Sequence, residues 1–248
     1  MAGIITQGVY RVHYYEVDYQ GRILPTSLIN YLQDITWIQS EEVGLGMKKL
    51  FAQNYRWVLY QWDITIDQYP QYNENLLIST CPLAMDKFSA YRKFEVKSQN
   101  GQTLATAMSR WALVNGDTIG LARIPPEMAE SFGLILGDTS EIPKLNKIKG
   151  PQEEHYTFDI VVRYSDIDTN RHVNNGKYIE WAMESIPFEK TSSRSLQGIE
   201  VIYKVQGEYG EKLKVVTEVK TDSDILWGEH KIVGAENKLK CLLRTKWT

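Results

Sequence analysis

Tyr164-Ser165-Asp166-Ile167-Asp168 repeats the pattern of Tyr14-Tyr15-Glu16-Val17-Asp18, and each stretch is followed by a run with helical spacing. The offset is constant, since 164 − 14 and 168 − 18 both give 150, and Ile29 and Ile179 keep that register inside the helical part. Downstream, Tyr72-Asn73-Glu74-Asn75-Leu76 is matched by Tyr209-Gly210-Glu211-Lys212-Leu213 at an offset of 209 − 72 = 137. The first copy therefore carries extra residues, which we place in the Gly-containing stretch 44–55. The copies also close alike, on Arg110-Trp111 and Lys246-Trp247. Two matching blocks in the same order point to an internal duplication and hence to a chain of two similar halves.

Within the first copy the clearest helix covers 26–43, where Leu28, Ile29, Leu32, Ile35 and Trp37 or Ile38 recur at steps of three and four. Thr26 is the expected N-cap, Pro25 cannot continue a helix backwards, and Gly44 is a natural stop. The matching helix begins near Asn174 or Asn175 and runs through Tyr178, Ile179, Trp181, Ala182 and Met183 until Pro187 breaks it. Strand-like segments follow: 76–81 and 90–97 in the first copy, 213–219 and 228–233 in the second, with turn signals at Asn100-Gly101 and 71–75. Residues 56–67 alternate around Trp57, Leu59, Trp62 and Ile64, as a strand with one buried face does. One long helix followed by several antiparallel strands, twice over, gives an α+β chain in which each half wraps a sheet around a central helix. Gly, Pro and mixed charge without a sustained period place a linker at 134–154, between domains at 1–133 and 155–248.

Composition narrows the function. With 248 residues, 43% hydrophobic and 24% charged, the chain has material for two ordinary cores and gives no case for disorder. A net charge of −3 argues against a nucleic-acid binder recognised by its overall field. No apolar stretch approaches the ~20 residues of a spanning helix, and the N-terminal residues do not resemble a secretory leader. Cys81 and Cys241 stand far apart without a CxxC, so neither a zinc site nor a disulfide framework is expected, and a reducing cytoplasm fits.

The densest polar cluster is 164–178, between a strand end and a helix start, where unsatisfied backbone N–H groups favour developing negative charge. Asp168, Asn170 and His172 alternate there, so in an extended segment their side chains share one face. An imidazole with an ordinary pKa of ~6.5 moves protons at neutral pH, a carboxylate polarises water or orients the ring, and an amide holds water or a carbonyl. The plainer alternative is that Asp168 and Asn174 cap the helix while His172 packs nearby. The repeat bears on this choice: the first copy keeps Asp18 but has Gln20 and Arg22 in place of Asn170 and His172, so the pattern exists in one copy. Ser165 lacks a nucleophile-elbow setting, and Cys241 reads as a core residue.

At this point the sequence resembles the acyl-acyl carrier protein (ACP) thioesterases, the plastid enzymes and their bacterial relatives. The family's D-x-N-x-H-V-N-N-x-K-Y pattern is present from Asp168 to Tyr178, continued by Trp181 and Glu184-Ser185-Ile186-Pro187. Trp57-Val58-Leu59, Tyr69-Pro70, Arg110-Trp111 and Ile124-Pro125 extend the likeness over nearly the whole chain. The resemblance implies a tandem double hot-dog fold, with acyl-chain accommodation by the first domain and catalysis by Asp168, Asn170 and His172 of the second. It implies hydrolysis of fatty acyl-ACP; we expect Asp168 and His172 to handle the water and protons without a covalent intermediate and without metal or organic cofactor. We expect a bacterial-type cytoplasmic protein, since no transit segment is seen, that is a monomer or homodimer, since two fused halves can pair internally. It also implies a carboxylate or cysteine after a later strand, a place that here falls at Gln206-Gly207. Gln206 can position water but cannot serve as a base at neutral pH. An acidic carrier protein would meet a basic rim, for which Arg163, Arg171 and Lys177 are the candidates. Competing readings are an acyl-CoA thioesterase, a hot-dog hydratase whose D-x-N-P-x-H pattern is not matched, and a non-catalytic acyl-binding protein with a decayed site at Gln206.

Overall fold

The computed structural model describes residues 3–118, 120–142 and 144–248, so Met1, Ala2, Ile119 and Pro143 of the expected domains and linker lie outside the described residues. The first half runs β1 (Thr6–Arg11), α1 (Pro25–Glu42), α2 (Met47–Ala52), β2 (Tyr55–Ile66), β3 (Asn75–Met85), β4 (Ser89–Ser98), β5 (Thr103–Asn115) and α3 (Pro126–Ser131). The second runs β6 (Tyr156–Val161), α4 (Asn175–Glu184), α5 (Phe188–Thr191), β7 (Leu196–Tyr203), β8 (Lys212–Asp222), β9 (Ile225–Val233) and β10 (Leu239–Trp247). Every strand expected from the pattern is present, and the 44–55 surplus contains α2.

The chain divides into two compact units, one of Met1–Tyr60 and Ile66–Leu145, the other of Gln61–Thr65 and Asn146–Thr248. In unit 1 the strands lie in the order β1-β3-β4-β5-β2, with β1 through β5 along that row antiparallel where β3 and β4 join them. In unit 2 the order is residues 61–65 of β2, then β7, β10, β9, β8 and β6, antiparallel throughout. Gln61 to Thr65 pair with Ile202 to Gly198, so the middle of a strand from the first half belongs to the second unit's sheet.

Each sheet wraps one helix. Leu28, Ile29, Leu32 and Ile35 of α1 are buried, and α1 packs on β1 and β3. The helix starts one residue before the expected cap: Leu24 is the N-cap, Pro25 occupies the first turn, and Thr26 sits inside. Proline suits that position because its missing N–H would be unpaired anyway and its fixed φ is already helical. Gly44 ends the helix with φ +71°, a conformation glycine adopts without steric cost. In unit 2, Asn174 is the N-cap of α4, accepting the Gly176 N–H at 2.9 Å. Tyr178, Ile179, Trp181 and Ala182 are buried, α4 packs on β8, β9 and β10, and it stops at Glu184, ahead of Pro187. In β2 the buried face changes phase at Gln61-Trp62, so Trp62, Ile64 and Ile66 are buried while Trp57 is only half-buried.

Candidate active site

The site is carried by the chain between β6 and α4. A single 3₁₀ turn, Tyr164–Asp166, is closed by Asp166, whose carboxylate accepts the Arg163 N–H at 2.8 Å and the Arg163 guanidinium at 3.0 and 3.1 Å. Burial opposes ionisation of Asp166, but the Arg163 hydrogen bonds and the nearby charges of Arg163 and Lys177 outweigh it and hold the carboxyl below its ordinary range. The Asp166 carbonyl accepts the Asn174 N–H at 2.8 Å, tying this turn to the start of α4.

Between them residues 168–172 form a tight turn bounded by the bridge Ile167↔Val173. Asp168 donates its N–H to the His172 carbonyl at 2.8 Å, and its carbonyl accepts from Arg171 at 3.0 Å. Its carboxylate Oδ1 accepts the N–H groups of Asn170 at 2.8 Å and His172 at 3.3 Å. This corrects the extended reading of the motif: the three residues are not aligned as on a strand but are gathered around one carboxylate by a turn. Asp168 caps this turn, and Asn174 caps the helix. Arg171 takes φ +64°, the left-handed region, where a side chain costs on the order of 1 kcal/mol. Asn170 is exposed. His172 is half-buried, and its Nδ1 is shut off from solvent with no hydrogen-bond partner.

Unit 1 repeats this geometry and shows what differs. Asp18 Oδ1 accepts the N–H groups of Gln20 at 2.8 Å and Arg22 at 3.0 Å, Val17 bridges to Ile23, and Gly21 takes φ +77° where unit 2 has Arg171. There the second carboxylate oxygen is also engaged: Asp18 Oδ2 accepts the Arg22 guanidinium at 3.0 and 2.9 Å. In unit 2 His172 stands in place of Arg22, and Asp168 Oδ2 has no protein hydrogen-bond partner among the described residues. The same turn is closed in one copy and open in the other.

A second loop, 204–211, is stitched to this turn. The Val173 N–H donates to the Gly207 carbonyl at 2.9 Å, and the Gly207 N–H donates to the Tyr178 hydroxyl at 2.8 Å. A Cβ at residue 207 would stand 3.0 Å from both the Tyr178 hydroxyl and Val173, so glycine permits the close approach. Gln206 is exposed, and its backbone carbonyl accepts Lys240 Nζ at 3.1 Å. Lys240 is itself buried and pairs with Glu211 at 2.6 Å, while Glu211 also accepts the Glu208 N–H at 3.1 Å. Burial pushes the Tyr178 hydroxyl above the usual phenol range, and the carboxylates of Glu211 and Asp168 add to the rise, so it stays protonated. Tyr178, Glu211 and Lys240 were not among the residues singled out for the site. Glu211 was visible as a repeat match to Glu74, whereas nothing in the local sequence marks Lys240.

The expected basic rim is mostly neutralised. Arg163 is held by Asp166, and Lys177 lies 2.8 Å from Glu180 and 3.9 Å from Asp166. Arg171 alone of the three has no acidic partner among the described residues. Cys241 is fully buried in β10, and burial holds its thiol well above the ordinary range, as a core residue requires. No group of three His, Cys, Asp or Glu side chains suited to a metal occurs among the described residues, and no helix is long and apolar enough to cross a membrane.

Comparison with known proteins bears directly on this geometry. The family model "Acyl-ACP thioesterase N-terminal domain" matches residues 3–132, and "Acyl-ACP thioesterase C-terminal domain" matches residues 149–248. The palmitoyl-acyl carrier protein thioesterase of Gossypium hirsutum is 27% identical over 216 residues, covering 82% of this chain and 52% of that protein. The oleoyl-acyl carrier protein thioesterase of Coriandrum sativum is 24% identical over 242 residues, covering 90% and 64%. The chain thus spans about half the length of the first of these curated relatives. Among solved structures, a Lactobacillus plantarum protein superposes with a TM-score of 0.92 at 26% identity, over 99% of this chain and 96% of that one. The 12:0-ACP thioesterase from Umbellularia californica superposes with a TM-score of 0.85 at 23% identity, over 98% and 94%. The fold is the double hot-dog of these structures.

Proposed function

The chain belongs to the acyl-ACP thioesterase family, and from that premise we propose that it hydrolyses fatty acyl-ACP to a free fatty acid and the carrier thiol, with Asp168, Asn170 and His172 acting on the thioester. The observation that carries this reading is the open turn: His172 Nδ1 is buried without a partner, and Asp168 Oδ2 is left unengaged where Arg22 closes the equivalent turn on Asp18. An unsatisfied buried polar atom costs ~1–3 kcal/mol, a cost a structural histidine has no reason to carry.

In the reaction a water oxygen adds to the thioester carbonyl and gives its proton to the imidazole, which returns a proton to the departing sulfur as the C–S bond breaks. Asp168 holds the water through the oxygen not used by the turn. Asn170, exposed beside it, donates to the carbonyl oxygen or the water. Gln206, fixed through its backbone by Lys240, adds a neutral amide and takes no proton. In this reading the domain of residues 1–133 accommodates the acyl chain, 134–154 is the linker, and 155–248 is the catalytic domain.

Thiol release from acyl-ACPs of graded chain length, measured for the parent, His172→Ala and Asp168→Asn, tests the assignment. Asparagine keeps an oxygen for the Asn170 and His172 N–H groups, so that variant removes charge while preserving the turn. Loss of a general acid–base group lowers kcat by ~10²–10⁴-fold. A parent no faster than both variants would overturn the reading. The same assay on acyl-CoA decides the carrier: acyl-ACP is expected to show the higher kcat/KM, with Arg171 as the one candidate rim cation not paired with an acid among the described residues.

A further inference from the structure

The loop after β2 in unit 1 and the loop after β7 in unit 2 share one backbone frame. Asp67 and Gln68 donate their N–H groups to the Leu104 carbonyl at 2.9 and 3.0 Å, as Lys204 and Val205 donate to the Lys240 carbonyl at 2.8 and 3.2 Å. The Ile23 N–H donates to the Pro70 carbonyl and the Val173 N–H to the Gly207 carbonyl, each at 2.9 Å. Ser98 donates to the Gln102 carbonyl at 2.9 Å and Gly234 to that of Lys238 at 3.0 Å. These bonds equate Tyr69-Pro70 with Gln206-Gly207, Leu104 with Lys240 and Ser98 with Gly234. The 150-residue offset equates Leu28 with Tyr178.

The side chains on that frame differ in kind. In unit 1 Leu28 and Leu104 are buried apolar residues, and Pro70 stiffens the loop by fixing its own φ. In unit 2 the matching peptide bond, between Gln206 and Gly207, is held by a side chain at each of its polar atoms. Lys240 Nζ donates to the Gln206 carbonyl at 3.1 Å, and the Gly207 N–H donates to the Tyr178 hydroxyl at 2.8 Å. Lys240 is buried and is held in turn by Glu211 at 2.6 Å, with Gly234 in place of Ser98 leaving room for the pair. Unit 1 shows that the fold closes here on apolar packing. A buried ion pair is a poor source of stability beside such packing, so the polar version calls for another reason.

We propose that Tyr178 and Lys240 are positioning residues for the hydrolysis: they clamp the Gln206–Gly207 peptide and so fix where the Gln206 side-chain amide stands beside the Asp168–His172 turn. Their role rests on the hydrolase reading above. The clamped residue reaches that turn directly, because the Gly207 carbonyl holds the N–H of Val173, next to His172. Glycine allows this close approach, but its own backbone is the freest to rotate. Two side-chain contacts on one peptide remove that freedom. Neither Tyr178 nor Lys240 touches the thioester; each acts through Gln206, and a small displacement of an aligned group lowers turnover by up to ~10²-fold.

The test uses the full chain, thiol release from acyl-ACP, and a double-mutant cycle with Gln206→Ala. Tyr178→Phe removes the hydroxyl and keeps the ring, which packs edge-on against Trp181 and Tyr203 at 5.5 and 5.7 Å. Glu211→Leu/Lys240→Met removes the ammonium without leaving its carboxylate uncompensated. Each is expected to lower kcat about as far as Gln206→Ala does, at nearly unchanged KM, and to cause no further loss in the Gln206→Ala background. A purely structural role predicts losses that multiply with that of Gln206→Ala, so multiplied losses overturn the proposal. A parent-like kcat in Gln206→Ala or in either clamp variant overturns it too. Circular dichroism gives the folded fraction to which each kcat refers, and if the double replacement fails to fold, the Tyr178→Phe cycle decides alone. No thiol release by the parent from any acyl-ACP defeats the hydrolase reading and the proposal together, whereas a parent that releases thiol beside an equally fast Tyr178→Phe defeats the proposal alone.

Discussion

His230 and His172 are the same residue type in opposite surroundings within one unit, the first with both ring nitrogens hydrogen-bonded and the second with a buried Nδ1 that has no partner. His230 has a hydroxyl on each ring nitrogen, and burial drives it to about 3, so it is neutral throughout the physiological range. Its acid behaviour follows from linkage. The unfolded imidazole takes up a proton near ~6.5, whereas the native one does not until about pH 3. Between those values the unfolded state binds more protons, and stability falls as pH falls, by up to ~1.4 kcal/mol per pH unit from this group. Above pH ~6.5 neither state is protonated and the contribution is constant. Urea unfolding of the parent and His230→Gln at a series of pH values isolates this effect. The stability difference between them should be flat from pH 8 to ~6.5 and shift in favour of the variant below it; a difference that ignores pH would show that His230 is not held neutral.

Elements were legible where a strong local signal existed and illegible where the structure rests on pairing. The α1 and α4 helices announce themselves by apolar spacing, by Pro25 and Gly44, and by Asn174. Even so, Thr26 was a wrong cap because proline in the first turn moved the boundary back by a residue. The 168–172 turn was misread as extended for a specific reason. Its left-handed position is occupied by Arg171 rather than glycine, so the usual turn signal is missing, although Gly21 at the equivalent place in the first copy carries it. Lys240 had no signal, because its meaning comes from Glu211 and the Gln206 carbonyl across the sheet. That pair also makes room for itself: a Cβ on Gly234 would fall 2.6 Å from Glu211 and 2.9 Å from Lys240. Removing one partner leaves the other charge buried, so Glu211→Gln and Lys240→Met should each lower stability by ~3 kcal/mol. The double variant Glu211→Leu/Lys240→Met should lose less than the sum of the singles, because it leaves no uncompensated charge. Additive losses in a chemical-denaturation cycle would refute a coupled pair.

At the scale of the whole molecule the duplication was readable to its turns. Asn73 and Gly210, 137 apart, both adopt positive φ, and Val12 and Val162, 150 apart, both donate to the glutamate that follows, at 2.9 Å. What the duplication hid is the loan of Gln61–Thr65 to unit 2, since a strand's own pattern does not say which neighbour it will join. The loan has an energetic consequence. Residues 61–65 bring Trp62 and Ile64, exposed 0% and 1%, and they cover β7, whose Ile199 and Val201 are also fully buried. Truncating a buried tryptophan or isoleucine costs ~2–5 kcal/mol, so losing both removes an amount comparable to the ~5–15 kcal/mol that holds a typical domain together. Without them β7 also becomes an apolar edge with unpaired backbone groups, which invites association. A fragment of residues 146–248 is therefore expected to be unfolded or aggregated by circular dichroism and size-exclusion chromatography. The same fragment with residues 55–66 joined through a flexible linker should recover cooperative unfolding. If the bare fragment melts cooperatively as a monomer, the borrowed strand is dispensable and unit 2 owes its core to its own half of the sequence.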